Sequence, residues 1–85
     1  MNRTLLNKQA NQKLKVWFEN KEITRCELCG SDNWLSFAHR KKRRYYRTVE
    51  ELSDPNEVLL LCIPCHSKIE YDVALTREVF KDLRG

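Results

Sequence analysis

The chain has 85 residues, enough for one domain, and with 41% hydrophobic residues and a mean hydropathy of −0.67 it can bury only a small core. No apolar run approaches the ~20 residues that cross a bilayer, so a membrane-spanning helix is excluded and no membrane partner is expected. The net charge of +4 conceals a division: residues 1–49 carry twelve Lys and Arg against four Asp and Glu, and residues 50–85 carry four against eight.

From Thr4 to Asn20 the apolar residues Leu6, Ala10, Leu14, Trp17 and Phe18 recur at helical intervals, with Lys8, Lys13 and Lys15 on the other face. This pattern predicts an amphipathic helix over about 4–20. Its stripe is expected to cover the cysteine-bearing part of the domain, the alternative being a helix that binds a partner. Ser31-Asp32-Asn33 is turn chemistry, and Trp34 to Ala38 reads as a short strand that delivers His39 at its end. Thr48-Val49-Glu50-Glu51 is a capping-box pattern for a helical turn or two through Leu52, closed by the turn Asp54-Pro55-Asn56. Val58 to Leu61 is a continuous apolar run of strand length, expected to pair with 34–38. Beyond Cys65 a helix is expected with Ile69 inward and Glu70 and Asp72 outward, followed by a last helix over about 77–83 capped by Thr76. Trp17 and Trp34 are assigned to the core, as large aromatics usually are.

Two Cys-x-x-Cys hooks, Cys26/Cys29 and Cys62/Cys65, supply the four thiolates of a tetrahedral zinc site. Gly30 favours the first knuckle because it tolerates positive φ, and Pro64 favours the second because it fixes φ. Two disulfides, a redox pair or buried thiols are the alternatives. No apolar signal segment follows Met1, so a cytoplasmic metal site is the expectation. A structural metal would also compensate for the small core, since zinc binding in such sites is worth about 10–16 kcal/mol.

Six of the twelve basic residues of the first part fall within 40–47: Arg40, Lys41, Lys42, Arg43, Arg44 and Arg47. A block this dense repels itself unless it meets a polyanion, which points to nucleic acid, against the plainer readings of a solvated basic loop or a targeting-like run. Tyr45 and Tyr46 inside it either stack on bases or pack the loop down, with packing expected for at least one.

Taken together, Cys26-x-x-Cys29, a strand ending in His39, Asn56 ahead of an apolar strand, and Cys62-x-x-Cys65-His66 resemble the HNH endonuclease family. The resemblance covers about residues 24–72. It implies an α+β, zinc-stabilised domain with a ββα-metal, treble-clef core, flanked by the N-terminal and C-terminal helices within a single domain spanning 1–85. It further implies a metal-dependent DNA endonuclease that hydrolyses phosphodiester bonds. His39 would be the general base, Asn56 would hydrogen-bond loop backbone to aim it, and His66 would hold one catalytic Mg²⁺ or another divalent ion such as Mn²⁺ or Ni²⁺. Cys26, Cys29, Cys62 and Cys65 would hold the structural Zn²⁺. The plainer readings are a loop histidine at 39 and a helix-capping or zinc-shell histidine at 66.

The chain departs from the family at Ala38, where an acidic residue or His usually gives a second metal ligand. The alternative function is therefore a zinc-stabilised nucleic-acid-binding or protein-interaction module with a degenerate nuclease site. DNA is the expected partner of a monomer or weak dimer, a protein partner being the alternative.

Overall fold

The computed structural model describes residues 2–85 as helix α1 (Arg3–Asn20), strand β1 (Leu35–His39), helix α2 (Val49–Leu52), strand β2 (Val58–Cys62), helix α3 (Ile63–Glu70) and helix α4 (Val73–Arg84). Short 3₁₀ turns at Arg43–Tyr45 and Pro55–Glu57 lie in the long connection between the strands. The class is α+β, with four helices around a two-stranded antiparallel sheet.

The strands pair as read from the apolar pattern, with Leu35 opposite Cys62, Phe37 opposite Leu60 and His39 opposite Val58. Period-two alternation then gives the sheet two different faces. Phe37, Val58 and Leu60 face α1, where Leu14 and Phe18 complete a cluster and the Phe18 and Phe37 rings stack at 5.6 Å. Ala38, Leu59 and Leu61 face the other way, against Ile69 of α3 and Phe80 of α4. β2 is buried along its whole length because both of its faces are covered, which is why it reads as an unbroken apolar run.

α1 joins two clusters: Leu14 and Phe18 meet the sheet, while Ala10 packs with Tyr46 and Leu52. The cysteine-bearing cluster is instead covered by α3 and α4, which corrects the expectation that the α1 stripe covers it. The helix starts at Asn2, whose side chain accepts from Leu5 N at 2.8 Å, and it ends in a Schellman turn. There Ile23 N donates to Phe18 O and Glu22 N to Glu19 O, with Glu22 at φ 59° where glycine is usual.

Local capping follows the sequence with one displacement. Thr48 caps α2 through Glu51 N at 3.1 Å, and Glu51 reaches back to Arg47 N at 3.3 Å, a box widened by one residue. α4, however, is capped by Asp72, one turn ahead of the expected Thr76. The Thr76 hydroxyl donates within the helix to Ile69 O and Asp72 O. Asp72 therefore lies outside α3, which stops at Glu70.

Trp34 corrects the core assignment: it is 77% exposed and sits at φ 53°, a left-handed conformation that a bulky residue adopts only under constraint. The constraint is the entry into the sheet, where Trp34 O accepts from Ile63 N at 2.9 Å. Trp17 is half-buried, edge-on to Phe18 at 5.0 Å.

Candidate metal centre

The first knuckle is closed by Gly30 N donating to Cys26 O at 2.9 Å and Cys26 N to Ser31 O at 2.8 Å. Gly30 has φ 79°, and a Cβ there would touch nothing, so the glycine serves the backbone angle alone. The second knuckle uses the end of β2 and the first turn of α3, placing Cys62 as helix cap and Cys65 one turn in. The four sulfur atoms lie within 4.8 Å of one another, with Cys29 Sγ and Cys62 Sγ 3.5 Å apart. Bonds of about 2.3 Å to a tetrahedral ion place sulfurs about 3.8 Å apart, whereas a disulfide needs about 2.05 Å. All four cysteines are free thiols, and their spacing fits a metal ion such as zinc.

The electrostatics also favour a cation. Burial opposes ionisation of Cys26, but the backbone N–H groups of Cys29, Cys62 and Leu28 outweigh it and bring the thiol down to about 6. Burial pushes Cys65 well up, and the neighbouring cysteines add to that. Four thiols this close cannot all ionise without a positive charge among them.

Glu27, inside the first knuckle, is held from the far end of the chain. Arg84 donates to its two carboxylate oxygens at 2.8 and 2.9 Å, and Leu60 N adds a bond of 2.7 Å. Arg84 also donates to Pro55 O and Val58 O at 3.0 Å, so one guanidinium ties α4, β2 and the knuckle together. Sequence reading missed this pair.

His66 follows Cys65 directly, and its Nδ1 lies 2.8 Å from Ser36 Oγ. When the Ser36 hydroxyl gives its single proton to Leu61 O at 3.2 Å, Nδ1 of His66 donates to Ser36 and the lone pair sits on Nε2. Burial lowers the His66 pKa, Glu70 raises it and Arg43 lowers it. Ser36 was not singled out from the sequence; its polar place in an otherwise apolar strand was the available signal.

His39 ends β1 with its Nε2 2.8 Å from Leu52 O, a carbonyl that only accepts. Nε2 is therefore protonated and Nδ1 carries the lone pair, buried and without a partner. Burial brings its pKa to about 4 despite the Leu52 bond, with the charges of Arg43 and His66 working the same way as burial. This lies well below the 6.5 of an ordinary imidazole. The two histidines are thus near enough for a charge on one to disfavour a charge on the other, and Arg43 acts on both.

Asn56 is exposed in the Pro55–Glu57 turn, and among the described residues its carboxamide makes no hydrogen bond. Its backbone carbonyl accepts from Arg40 Nη2 at 2.9 Å. The carbonyl of Leu52, and not the Asn56 side chain, orients His39. Ala38 is 1% exposed and packs in the cluster with Leu59 and Phe80, so a metal-binding side chain at this position would start inside the core.

The basic block is folded. Arg3 donates to the carbonyls of Arg43, Arg44 and Tyr46, pinning the segment to α1. Tyr46 is 4% exposed, its hydroxyl donating to Glu57 Oε1 at 3.1 Å and accepting from Lys41 N. Arg40 is engaged internally: its Nε lies 3.1 Å from Glu57 Oε2 and its guanidinium sits 4.8 Å above the Phe80 ring. Arg43 is half-buried, whereas Lys41, Lys42, Arg44 and Arg47 are exposed and form the free charge of the block, with Tyr45 beside Arg44.

Among the described residues no helix is long and apolar enough to cross a membrane. No model of a known protein family matches the chain, and neither a curated protein nor a solved structure matches it significantly.

Proposed function

We propose that the chain is a metal-dependent endonuclease of HNH type that hydrolyses phosphodiester bonds in DNA. The observation that carries the reading is the placement of His66: adjacent to the four-cysteine cluster, held by Ser36 at 2.8 Å, and, in the tautomer that donates to Ser36, free to offer Nε2. A zinc-fixed backbone holds that nitrogen in a constant position, as a metal ligand requires. A divalent ion at His66 Nε2 would neutralise charge on the scissile phosphate and on the leaving oxygen.

His39 takes the proton of the attacking water on Nδ1, the nitrogen that Leu52 leaves unprotonated. Water oxygen bonds to phosphorus, a P–O ester bond breaks, and the departing oxygen is protonated from solvent. A pKa of about 4 keeps His39 neutral at every working pH, at the cost of a weaker base. Because Nδ1 is buried, substrate binding must shift the backbone around His39 before water reaches it. Lys41, Lys42, Arg44 and Arg47 hold phosphates without reading sequence.

The buried Ala38 and the enclosed Nδ1 favour a second reading, a zinc-stabilised module that binds nucleic acid or a protein and cuts nothing. Incubation of supercoiled plasmid and of a labelled oligonucleotide with Mg²⁺, Mn²⁺ and Ni²⁺ separates the two. The nuclease reading expects strand cleavage that His66→Ala and His39→Ala abolish; absence of cleavage with every ion favours the binding module.

A further inference from the structure

α1 and β1 enclose a groove of about 900 Å³ that the basic block does not line except at Arg43. Its position follows from the topology. With two strands among the described residues, β1 has a free edge, and α1 passes over the adjoining face, so a trough runs between the helix and that edge. The half-buried Leu35 and Phe37 supply an apolar floor. Lys8 and Lys15, exposed and two turns apart on α1, stand on one wall, and Arg43 stands opposite. Glu19 is the acidic residue of the lining, so the groove carries net positive charge.

A further feature points to a ligand. Asn7 and Asn11, one helical turn apart, each hold a buried carboxamide oxygen with no hydrogen-bond partner. An unmet buried acceptor is destabilising, and because solvent reaches neither oxygen, a ligand donor would offset the cost only after the two carboxamides turn into the groove. The lining also includes Ser36 of β1, whose hydroxyl points to the opposite face of the sheet and holds His66 there.

We infer that this groove seats one unpaired nucleic-acid strand, with phosphates on Lys8, Lys15 and Arg43, bases over Leu35 and Phe37, and base amino groups donating to the Asn7 and Asn11 carboxamides once these turn into the groove. A duplex keeps its base faces stacked on one another, so it cannot lay them on an apolar floor; an unpaired strand can. The inference rests on the proposed nuclease reading for the strand's continuing past the free edge of β1 to His66 on the other face, and it adds α1 to the nucleic-acid surface.

The test is fluorescence anisotropy with zinc-loaded full-length protein and labelled twelve-nucleotide probes: single-stranded DNA, RNA of the same sequence, and the DNA duplex. Wild type is expected to prefer a single strand over the duplex. Lys8→Ala with Lys15→Ala should weaken single-strand binding about tenfold and reduce the log–log salt slope by about 1.4, leaving duplex binding and zinc content unchanged. Asn7→Leu with Asn11→Leu removes the unmet oxygens, so it should fold at least as stably and still bind a single strand about fivefold more weakly. Equal or stronger duplex binding by wild type, or single-strand affinity untouched by both double variants, overturns the groove. The two readings separate cleanly: cleavage that the lysine pair does not affect removes the groove and keeps the nuclease, whereas lysine-dependent strand binding without cleavage keeps the groove and removes the nuclease.

Discussion

Ser36 on β1 and His66 on α3 meet through a 2.8 Å hydrogen bond that orients the imidazole from 30 residues away. Removing the hydroxyl by Ser36→Ala frees the ring to rotate. Loss of such an orienting partner weakens metal binding about 10–100-fold. Titration of the Mn²⁺ requirement for cleavage should show that shift in the half-maximal concentration, with zinc content unaltered. An unchanged Mn²⁺ dependence would remove Ser36 from the site.

The Glu27–Arg84 pair is the strongest polar tie between the first knuckle and the last helix, with both side chains only 11% exposed. Arg84→Ala leaves Glu27 buried with only its Leu60 bond and should cost about 3–5 kcal/mol in urea unfolding. Arg84→Lys retains the charge but not the two-pronged geometry, so its loss should fall between that of wild type and Ala. A loss under about 1 kcal/mol for Arg84→Ala would show the pair to be peripheral.

Ala38 offers a test of how far the core limits the site. An Ala38→Asp change places a carboxylate among Leu59, Phe80 and Ile69 and should destabilise the fold by about 3–5 kcal/mol. Thermal melting checks this directly. If Ala38→Asp melts like wild type and lowers the divalent concentration needed for cleavage, the strand has room to turn that side chain toward His66.

How much of this was legible in the sequence depends on the range of the interaction. The strand pairing, the Thr48 cap, the cysteine hooks and the inward Ile69 follow from local chemistry and periodicity. Asp72 and Thr76 are both good caps one turn apart, and only the end of α3 at Glu70 decides for Asp72. The Glu27–Arg84 pair spans 57 residues and the Arg3 clamp about 40, distances over which no local pattern speaks. Trp34 misled because hydrophobicity suggested burial, whereas its backbone is committed to the turn into β1. His39 ends β1 and Asn56 lies in the turn before β2, but which His39 nitrogen carries the proton depends on the Leu52 carbonyl of α2.

The depressed pKa of His39 makes a pH prediction with a definite sign. The folded state holds the imidazole neutral down to about 4, whereas the unfolded state protonates near 6.5, so the unfolded chain binds more protons between those values. Stability from this group is complete above about pH 6.5 and is lost as pH falls toward 4. After allowance for partial solvent screening it amounts to about 2 kcal/mol. Urea midpoints at pH 7 and pH 5 in saturating zinc should show the fall, and His39→Gln should remove most of it. Resonances of His39 that titrate near 6.5 would contradict the buried geometry.

Everything proposed for His66 depends on the four-cysteine cluster holding an ion, and the metal content of the purified chain tests that most directly. Elemental analysis should find one zinc per wild-type chain, and Cys62→Ser should lose both the zinc and the cooperative thermal transition. A wild-type chain that carries no metal yet still melts cooperatively would contradict the account.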